Sequence, residues 1–193
     1  SNLTGILQSV TFPVLSTIQD EDERLRDNYR RILRMSAFVV FPLMMFLAAV
    51  AVPLIRVVIT AKWDGCAIYL QIICFAMMWY PIHAINLNLL QVKGRSDLFL
   101  RLEIAKKVLG VIIMCVTIPL GVLAMCYGGV VNSVLCLLIN TYYTGKLIKV
   151  GFYKQMKDLT PVLCASLMSG LVAYLVVNVF ETEWIRLIAG CLS

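Results

Sequence analysis

The chain has 193 residues, of which 61% are hydrophobic and 15% are charged, and its mean hydropathy is +0.87. A soluble domain carries about 25% charged residues and leaves much of its surface in water, so this composition argues against a soluble fold. The formal net charge of +6 by itself allows a nucleic-acid partner, and the distribution of the basic residues therefore decides its meaning.

Long apolar runs follow one another along the chain. A membrane-spanning helix needs about 20 apolar residues, and its backbone polar groups must be satisfied within the helix. We therefore predict an all-α, polytopic transmembrane helical bundle. Because both ends of the chain lie inside apolar patterns, we expect residues 1–193 to be a single bundle from a longer membrane protein. The predicted spans are about 1–19 (partial), 35–60, 66–92, 98–120, 122–148, 160–180 and 184–193 (partial).

Basic residues alternate between the predicted loops. In chain order the loops carry five, two, five, no, four and one lysines or arginines, so that alternate loops hold 14 of the 17. This is the positive-inside pattern of a polytopic membrane protein. It predicts that the basic loops are cytoplasmic, and it accounts for the net charge without a nucleic-acid partner.

A charged cluster follows the third predicted loop at once. Glu103 precedes Lys106 and Lys107 by three and four residues, the order that favours intrahelical ion pairs. One interpretation is a self-neutralising interfacial cluster whose lysines reach toward water. The other is a charged mouth that binds an anionic group or carries a coupling proton. At helical spacing, one face of this span is charged, small or polar: Glu103, Lys107, Gly110, Met114 and Thr117.

Two further spans carry polar stripes at helical spacing. In the span 66–92 the stripe is Tyr80, Ala84, Asn88 and Gln91, with His83 and Asn86 one step round the helix. In the span 122–148 it is Asn132, Ser133, Cys136, Asn140 and Thr144. Such residues either bond between helices within a bundle or line a shared hydrated cavity. The candidate substrate-binding residues are Lys106, Lys107, Glu103, Asn88, Gln91, His83, Asn86, Asn132 and Asn140.

The sequence offers no site for catalysis, for a metal or for a cofactor. It contains no Gly-rich phosphate loop, no paired carboxylates in an aqueous loop and no nucleophile beside a base, so we do not expect an enzyme. The seven cysteines form no CxxC pair and His83 is the only histidine, a pattern typical of packing cysteines rather than of a zinc site.

Most of residues 1–120 resemble a known family, through short motifs whose order and spacing make the match specific. The chain resembles Wzx-like bacterial polysaccharide flippases of the MOP superfamily, which also holds MATE-type multidrug exporters and lipid II flippases. The matching motifs are Phe12-Pro13 with Leu15-Ser16, Gln19-Asp20, the run Arg24 to Tyr29, Phe41-Pro42, Lys62-Trp63 and the hairpin from "KGRSD" to "RLEIAKK".

The resemblance implies the second lobe of a two-lobe, MATE-like transporter of the bacterial inner (plasma) membrane that works by alternating access. Its implied cargo is an oligosaccharide on a polyprenyl pyrophosphate carrier, moved for surface polysaccharide export. The other implied partners are membrane lipids, other polysaccharide-assembly membrane proteins and the N-terminal half of the same chain. Family members use cationic cavity residues for anionic cargo, and the counterparts here are Lys106 and Lys107 with Glu103.

Two alternatives stay open. One is a multidrug or lipid II exporter of the same superfamily, which differs in cargo alone. The other is of a different class: a membrane-embedded polysaccharide polymerase or glycosyltransferase. Such enzymes need a sizeable loop that carries reactive residues, whereas every loop predicted here is short.

Overall fold

The computed structural model describes residues 13, 15–18 and 21–179, and these residues form helices and turns without a strand. The predicted partial spans 1–19 and 184–193 therefore lie largely or wholly outside the described residues. The seven α-helices of the described part are α1 (Asp22–Ala49), α2 (Ala51–Val58), α3 (Ala67–Met77), α4 (Tyr80–Val92), α5 (Ser96–Thr117), α6 (Val122–Ile148) and α7 (Phe152–Val179), with short 3-10 helices at Ala61–Cys66 and Ile118–Leu120.

Prolines stand beside the two interruptions between consecutive helices. α1 and α2 meet at Val50 (φ −91°, ψ 10°), and Pro53 lies in the first turn of α2. α3 and α4 are separated by Met78 and Trp79, and Pro81 is the second residue of α4. A proline has no N–H to donate and its ring crowds the preceding turn, so each interruption lies where a helical hydrogen bond is missing.

Helix α1 lies at the centre of the packing. It has its most extensive contact with α7, and it also packs on α3 and α4, which in turn pack on α6. α5 packs mainly on α6 and so lies at one edge of the bundle. The buried stripe of α1 repeats every fourth residue, as expected for one face of a helix. It consists of Leu25, Tyr29, Leu33, Ala37 and Phe41.

The outside of the bundle is apolar. Large hydrophobic side chains such as Phe38, Leu120 and Val179 are more than two-thirds exposed. Four helical segments of the described chain are long and apolar enough to cross a membrane, as the predicted all-α polytopic bundle requires: Asp22–Ala49, Ala61–Val92, Val122–Ile148 and Phe152–Val177. The fold prediction is confirmed, and the chain is a membrane protein.

The helices extend beyond several of the predicted spans. The arginine run at 24–34, predicted as a loop, forms the first turns of α1, and 152–159 likewise opens α7. The predicted span 98–120 corresponds to α5 and the following 3-10 helix. α5 is 22 residues long, but its charged residues keep it out of the four apolar segments. We propose that it also crosses, because its two ends join helices at opposite ends of the bundle.

Candidate functional site

His83 and Asn86, which lie one step round α4 from its predicted stripe, face the polar stripe of α6 inside the bundle. The side-chain amide of Asn140 donates from Nδ2 to His83 Nδ1 at 3.2 Å. An imidazole nitrogen that accepts has no proton, so His83 carries its proton on Nε2 and donates it to Ser133 Oγ at 3.3 Å. Ser133 in turn donates to the carbonyl of Ala76 at 3.1 Å, and these three hydrogen bonds are called the His83 chain below. These bonds describe a neutral histidine of α4 that is held by two side chains of α6.

Two buried amides, one on α6 and one on α4, keep unused hydrogen-bonding capacity. Asn140 is fully buried, yet its Oδ1 has no partner within the described part of the protein. Asn88, on α4, is also fully buried, and neither its oxygen nor its nitrogen has a partner there. Buried polar groups are normally satisfied, so an unpartnered amide in a membrane bundle marks a place that a polar ligand can occupy.

The two adjacent lysines of α5 lie in different environments. Lys106 binds Glu103 at 2.5 Å, and only 13% of its side chain is exposed. Its charge acts on His83 and Cys136, which places it at the level of the His83 chain. Lys107 is on the exposed side of α5. The face of α5 that turns inward therefore contains Lys106 where the sequence pattern predicted Lys107.

A groove with a volume of about 560 Å³ opens between α3, the start of α4 and α6. Its walls are mostly apolar, and its polar side chains come from both sides. Asn132 is in the groove and also faces Gly110 of α5, where an added Cβ would lie 3.8 Å from Asn132 Oδ1. The polar residues that line the groove are Tyr80, His83, Asn132 and Ser133.

A second polar cluster lies deeper and has no free capacity at its centre. The oxygen of Asn86 accepts from Tyr29 at 2.9 Å, from Thr144 at 2.6 Å and from Gln155 at 3.3 Å. The Asn86 nitrogen donates to the Ile82 carbonyl and to Gln155. Four helices, α1, α4, α6 and α7, thus meet at one amide, which is the interhelical hydrogen bonding that the stripes allowed.

The structure divides the predicted site residues into three groups. His83, Asn132, Asn140, Glu103 and Lys106 gather around the interfaces of α6 with α4 and α5. Asn86 is enclosed in the four-helix cluster, and Asn88 is buried without a partner. Gln91 is half-buried near the end of α4, and Lys107 is exposed.

Sequence reasoning missed the partners that α1 and α7 contribute. Tyr29 and Gln155 are buried members of the Asn86 cluster, and Arg30 binds Asp158 through two hydrogen bonds of 2.6 and 2.7 Å. The signal was present in the four-residue repeat of Leu25, which continues through Tyr29 into the apolar run. That repeat shows the arginine-rich segment to be helical.

The comparisons with known proteins agree on one biological context. Residues 1–68 match a family described as "Polysaccharide biosynthesis protein". Over 143 residues the chain is 30% identical to an "Uncharacterized membrane protein in cps region" of Klebsiella pneumoniae, an alignment that covers 72% of this chain and 27% of the relative. No solved structure matches.

A second curated relative has a more specific name. Over 139 residues the chain is 28% identical to "Lipopolysaccharide biosynthesis protein WzxC" of Escherichia coli (strain K12), with 72% of this chain and 28% of the relative covered. The chain thus spans about a quarter of the length of the curated relatives it matches. The predicted resemblance to Wzx-like proteins of bacterial polysaccharide biosynthesis is confirmed, and the chain is a membrane protein similar to them.

Proposed function

We propose that this chain is part of a transporter, rather than an enzyme, that moves an oligosaccharide on a polyprenyl pyrophosphate carrier across the bacterial inner membrane. The observation that carries the proposal is Lys106, a cation enclosed between helices of a membrane bundle. Charged groups in this environment are costly and are typical of substrate or ion pathways. The curated relatives supply the polysaccharide context.

Glu103 acts in this proposal as the resident counterion of Lys106. In the unloaded protein it neutralises the ammonium at 2.5 Å and lowers the cost of keeping a cation among apolar helices. A pyrophosphate carries more negative charge than one carboxylate and accepts hydrogen bonds at several oxygens. It therefore competes with Glu103 for Lys106. Binding of the cargo and release of the internal ion pair become one exchange.

The neutral groups near Lys106 suit the sugar portion of the cargo. Sugar hydroxyls both donate and accept hydrogen bonds, and a side-chain amide offers both functions. The Oδ1 of Asn140 and the amide of Asn88 have unused capacity for such bonds, and because both residues are fully buried, the bundle must open before a hydroxyl reaches them. Asn132 and Tyr80 add polar groups along the groove, which is wide enough at about 560 Å³ for a small part of an oligosaccharide.

The bundle supplies one wall of the pathway in this proposal, and the remainder of a longer chain supplies the other. Alternating access then requires the two halves to rock so that Lys106 and the groove face each side of the membrane in turn. The end of the bundle at which α1, α5 and α7 begin, named here the basic end, carries most of the lysines and arginines. The positive-inside rule assigns it to the cytoplasm.

The two adjacent lysines provide a matched test. In a strain that lacks the protein, the full-length protein with Lys106→Gln is expected to restore about tenfold less surface glycan than the wild type. One lost charge-assisted contact of about 1.4 kcal/mol corresponds to that factor. Lys107→Gln removes the same charge from an exposed position and is expected to retain export. Surface glycan is quantified at protein levels matched by immunoblotting.

A charge exchange separates binding from folding. The variant Glu103→Lys with Lys106→Glu keeps an ion pair at the same helical spacing and so preserves the protein level, but it presents the charges at exchanged positions. We expect it to be stable and inactive. Normal export by Lys106→Gln or by the exchanged pair, or an equal defect in Lys107→Gln, would refute the assigned role of Lys106.

A further inference from the structure

A second groove lies on the outside of the bundle, between α1 and α7. It has a volume of about 440 Å³ and is far from the His83 chain, near the basic end. Two guanidinium groups, one helical turn apart, stand over an apolar floor. The residues that line it are Arg31, Arg34, Met35, Phe38, Val39 and Val162.

Among the residues that the structure describes, the two arginines of this groove have no local partner, unlike the neighbouring arginines of α1. Arg24 pairs with Glu21, Arg26 donates to the carbonyl of Ile148, and Arg30 binds Asp158. Arg31 and Arg34 are exposed, and neither forms an ion pair or a hydrogen bond with the described residues. Asp158 is within electrostatic range of Arg34, but both of its carboxylate oxygens already bind Arg30. The two guanidinium groups are therefore free to bind an external anion.

The groove lies where the polar part of each helix gives way to the apolar part. Arg34 is the last charged residue of α1, and the segment after it is uncharged through Ala49. On α7 the last charged residue is Asp158, four positions before Val162. Phe38 and Val39 are about two-thirds exposed on the apolar side. This level is the boundary between lipid head groups and acyl chains.

We propose that this groove is a binding site for an anionic phospholipid. The phosphate would lie between Arg31 and Arg34, where planar guanidinium groups donate to its oxygens. One acyl chain would run along Met35, Phe38 and Val162. A free anion would gain nothing from the apolar floor, and a zwitterionic lipid would bring its own cation close to the two arginines, which repel it. Clustered cations beside a membrane helix are the chemistry that selects anionic head groups.

Photo-crosslinking tests the proposal in the full-length protein. Phe38 is replaced by p-benzoylphenylalanine, and the protein is placed in nanodiscs with equal amounts of phosphatidylglycerol and phosphatidylcholine. After illumination, the lipid adducts are quantified by mass spectrometry. Each cation near an anionic lipid favours it by about fivefold. Two arginines together favour it by about twenty-five-fold, so we expect adducts with phosphatidylglycerol to exceed those with phosphatidylcholine by about that factor.

Two double variants make the readout specific. Arg31→Gln with Arg34→Gln is expected to bring the adduct ratio to about one, because the acyl contacts remain while the selectivity is lost. The matched control, Arg24→Gln with Arg95→Gln, removes the same charge from exposed arginines outside the groove and keeps the wild-type ratio. Equal labelling by both lipids in the wild type, absence of lipid adducts, or an equal effect of the control variant would each overturn the proposal.

Discussion

The amide oxygen of Asn86 is shared by three donors from three other helices. Sequence spacing placed Asn86 on a polar face, but spacing alone does not tell a residue that binds cargo from one that joins helices. The difference depends on Tyr29 and Gln155, which are 57 and 69 positions away in sequence. Both lie in charged segments predicted as loops, so no sequence pattern predicted that they contact Asn86.

Replacing Asn86 is expected to destabilise the bundle. Hydrogen bonds between membrane helices contribute about 0.6 kcal/mol each, so the loss of the four that Asn86 makes to other helices costs Asn86→Leu about 2 kcal/mol of unfolding free energy. Asn132→Leu is the matched control, because Asn132 is half-buried and makes one weak contact, with Cys136. Unfolding in mixed detergent micelles measures both variants. Equal stability of Asn86→Leu and the wild type would contradict the role of the cluster.

Lys106 and Lys107 show the limit of sequence patterns on one helix. Adjacent residues on a helix with 3.6 residues per turn point in directions about 100° apart, so only one of two neighbouring lysines can face α6. The sequence assigned Lys107 to the inward face with Gly110. In the structure Lys106 has that position and pairs there with Glu103 across one turn. Which neighbour turns inward is decided by packing against α6 and not by composition.

Among the elements, α6 was predicted best and α1 least well. The predicted span 122–148 has the same bounds as α6, since a glycine turn precedes it and a left-handed Lys149 follows it. α1 has 28 residues, a length of about 42 Å, whereas the hydrocarbon core is about 30 Å thick. Hydropathy detects the part within the lipid. The helical hydrogen bonds continue through the arginine run, where hydropathy carries no signal.

The ion pair between α1 and α7 permits a prediction about how these elements are joined. Arg30 and Asp158 form two charge-assisted hydrogen bonds, and Asp158 is buried. Asp158→Asn is expected to lower the unfolding free energy by about 2 kcal/mol. Asp97→Asn, at an exposed pair with Arg95, serves as the control and is expected to change it by less than about 0.5 kcal/mol.

The measurement is thermal unfolding of the full-length protein in detergent micelles. Because exposed pairs are screened by salt and buried ones are screened much less, the difference between the two variants is expected to persist at high ionic strength. Equal shifts of the two unfolding midpoints would show that the Arg30 contact contributes no more than a surface pair.

At the scale of the whole molecule, the sequence was sufficient for the membrane class and for the family resemblance. Both rest on properties that survive without tertiary contacts: the length of the apolar runs and the order of short motifs. The candidate site could be predicted from the sequence only in part. The α6 stripe bonds α4 through His83 and Asn86, one step round the helix from the predicted α4 stripe, and the division between open groove and closed cluster arises from five helices packing together.

The bonds between distant helices are concentrated at the basic end. Lys93 binds Asp22 at 2.6 Å, Arg26 donates to the last carbonyl of α6, and the Asn86 cluster lies about two turns inward. We predict that spin-label distances across the bundle are narrowly distributed there, between positions 31 and 157. Between 69 and 123, at the opposite end of α3 and α6, they should be broader. Double electron–electron resonance measures both distance distributions on pairs of spin-labelled cysteines introduced into a variant without the native cysteines. Equal widths of the two distributions would contradict the prediction.

The uneven distribution of hydrogen bonds and ion pairs between the helices has a mechanical consequence. When helices are held together firmly at one end and weakly at the other, their relative displacement grows with distance from the firmly held end. The groove beside His83 lies toward the end of the bundle opposite the basic end. Its width can therefore vary while the basic end keeps its shape, without loosening the contacts that hold the helices together there.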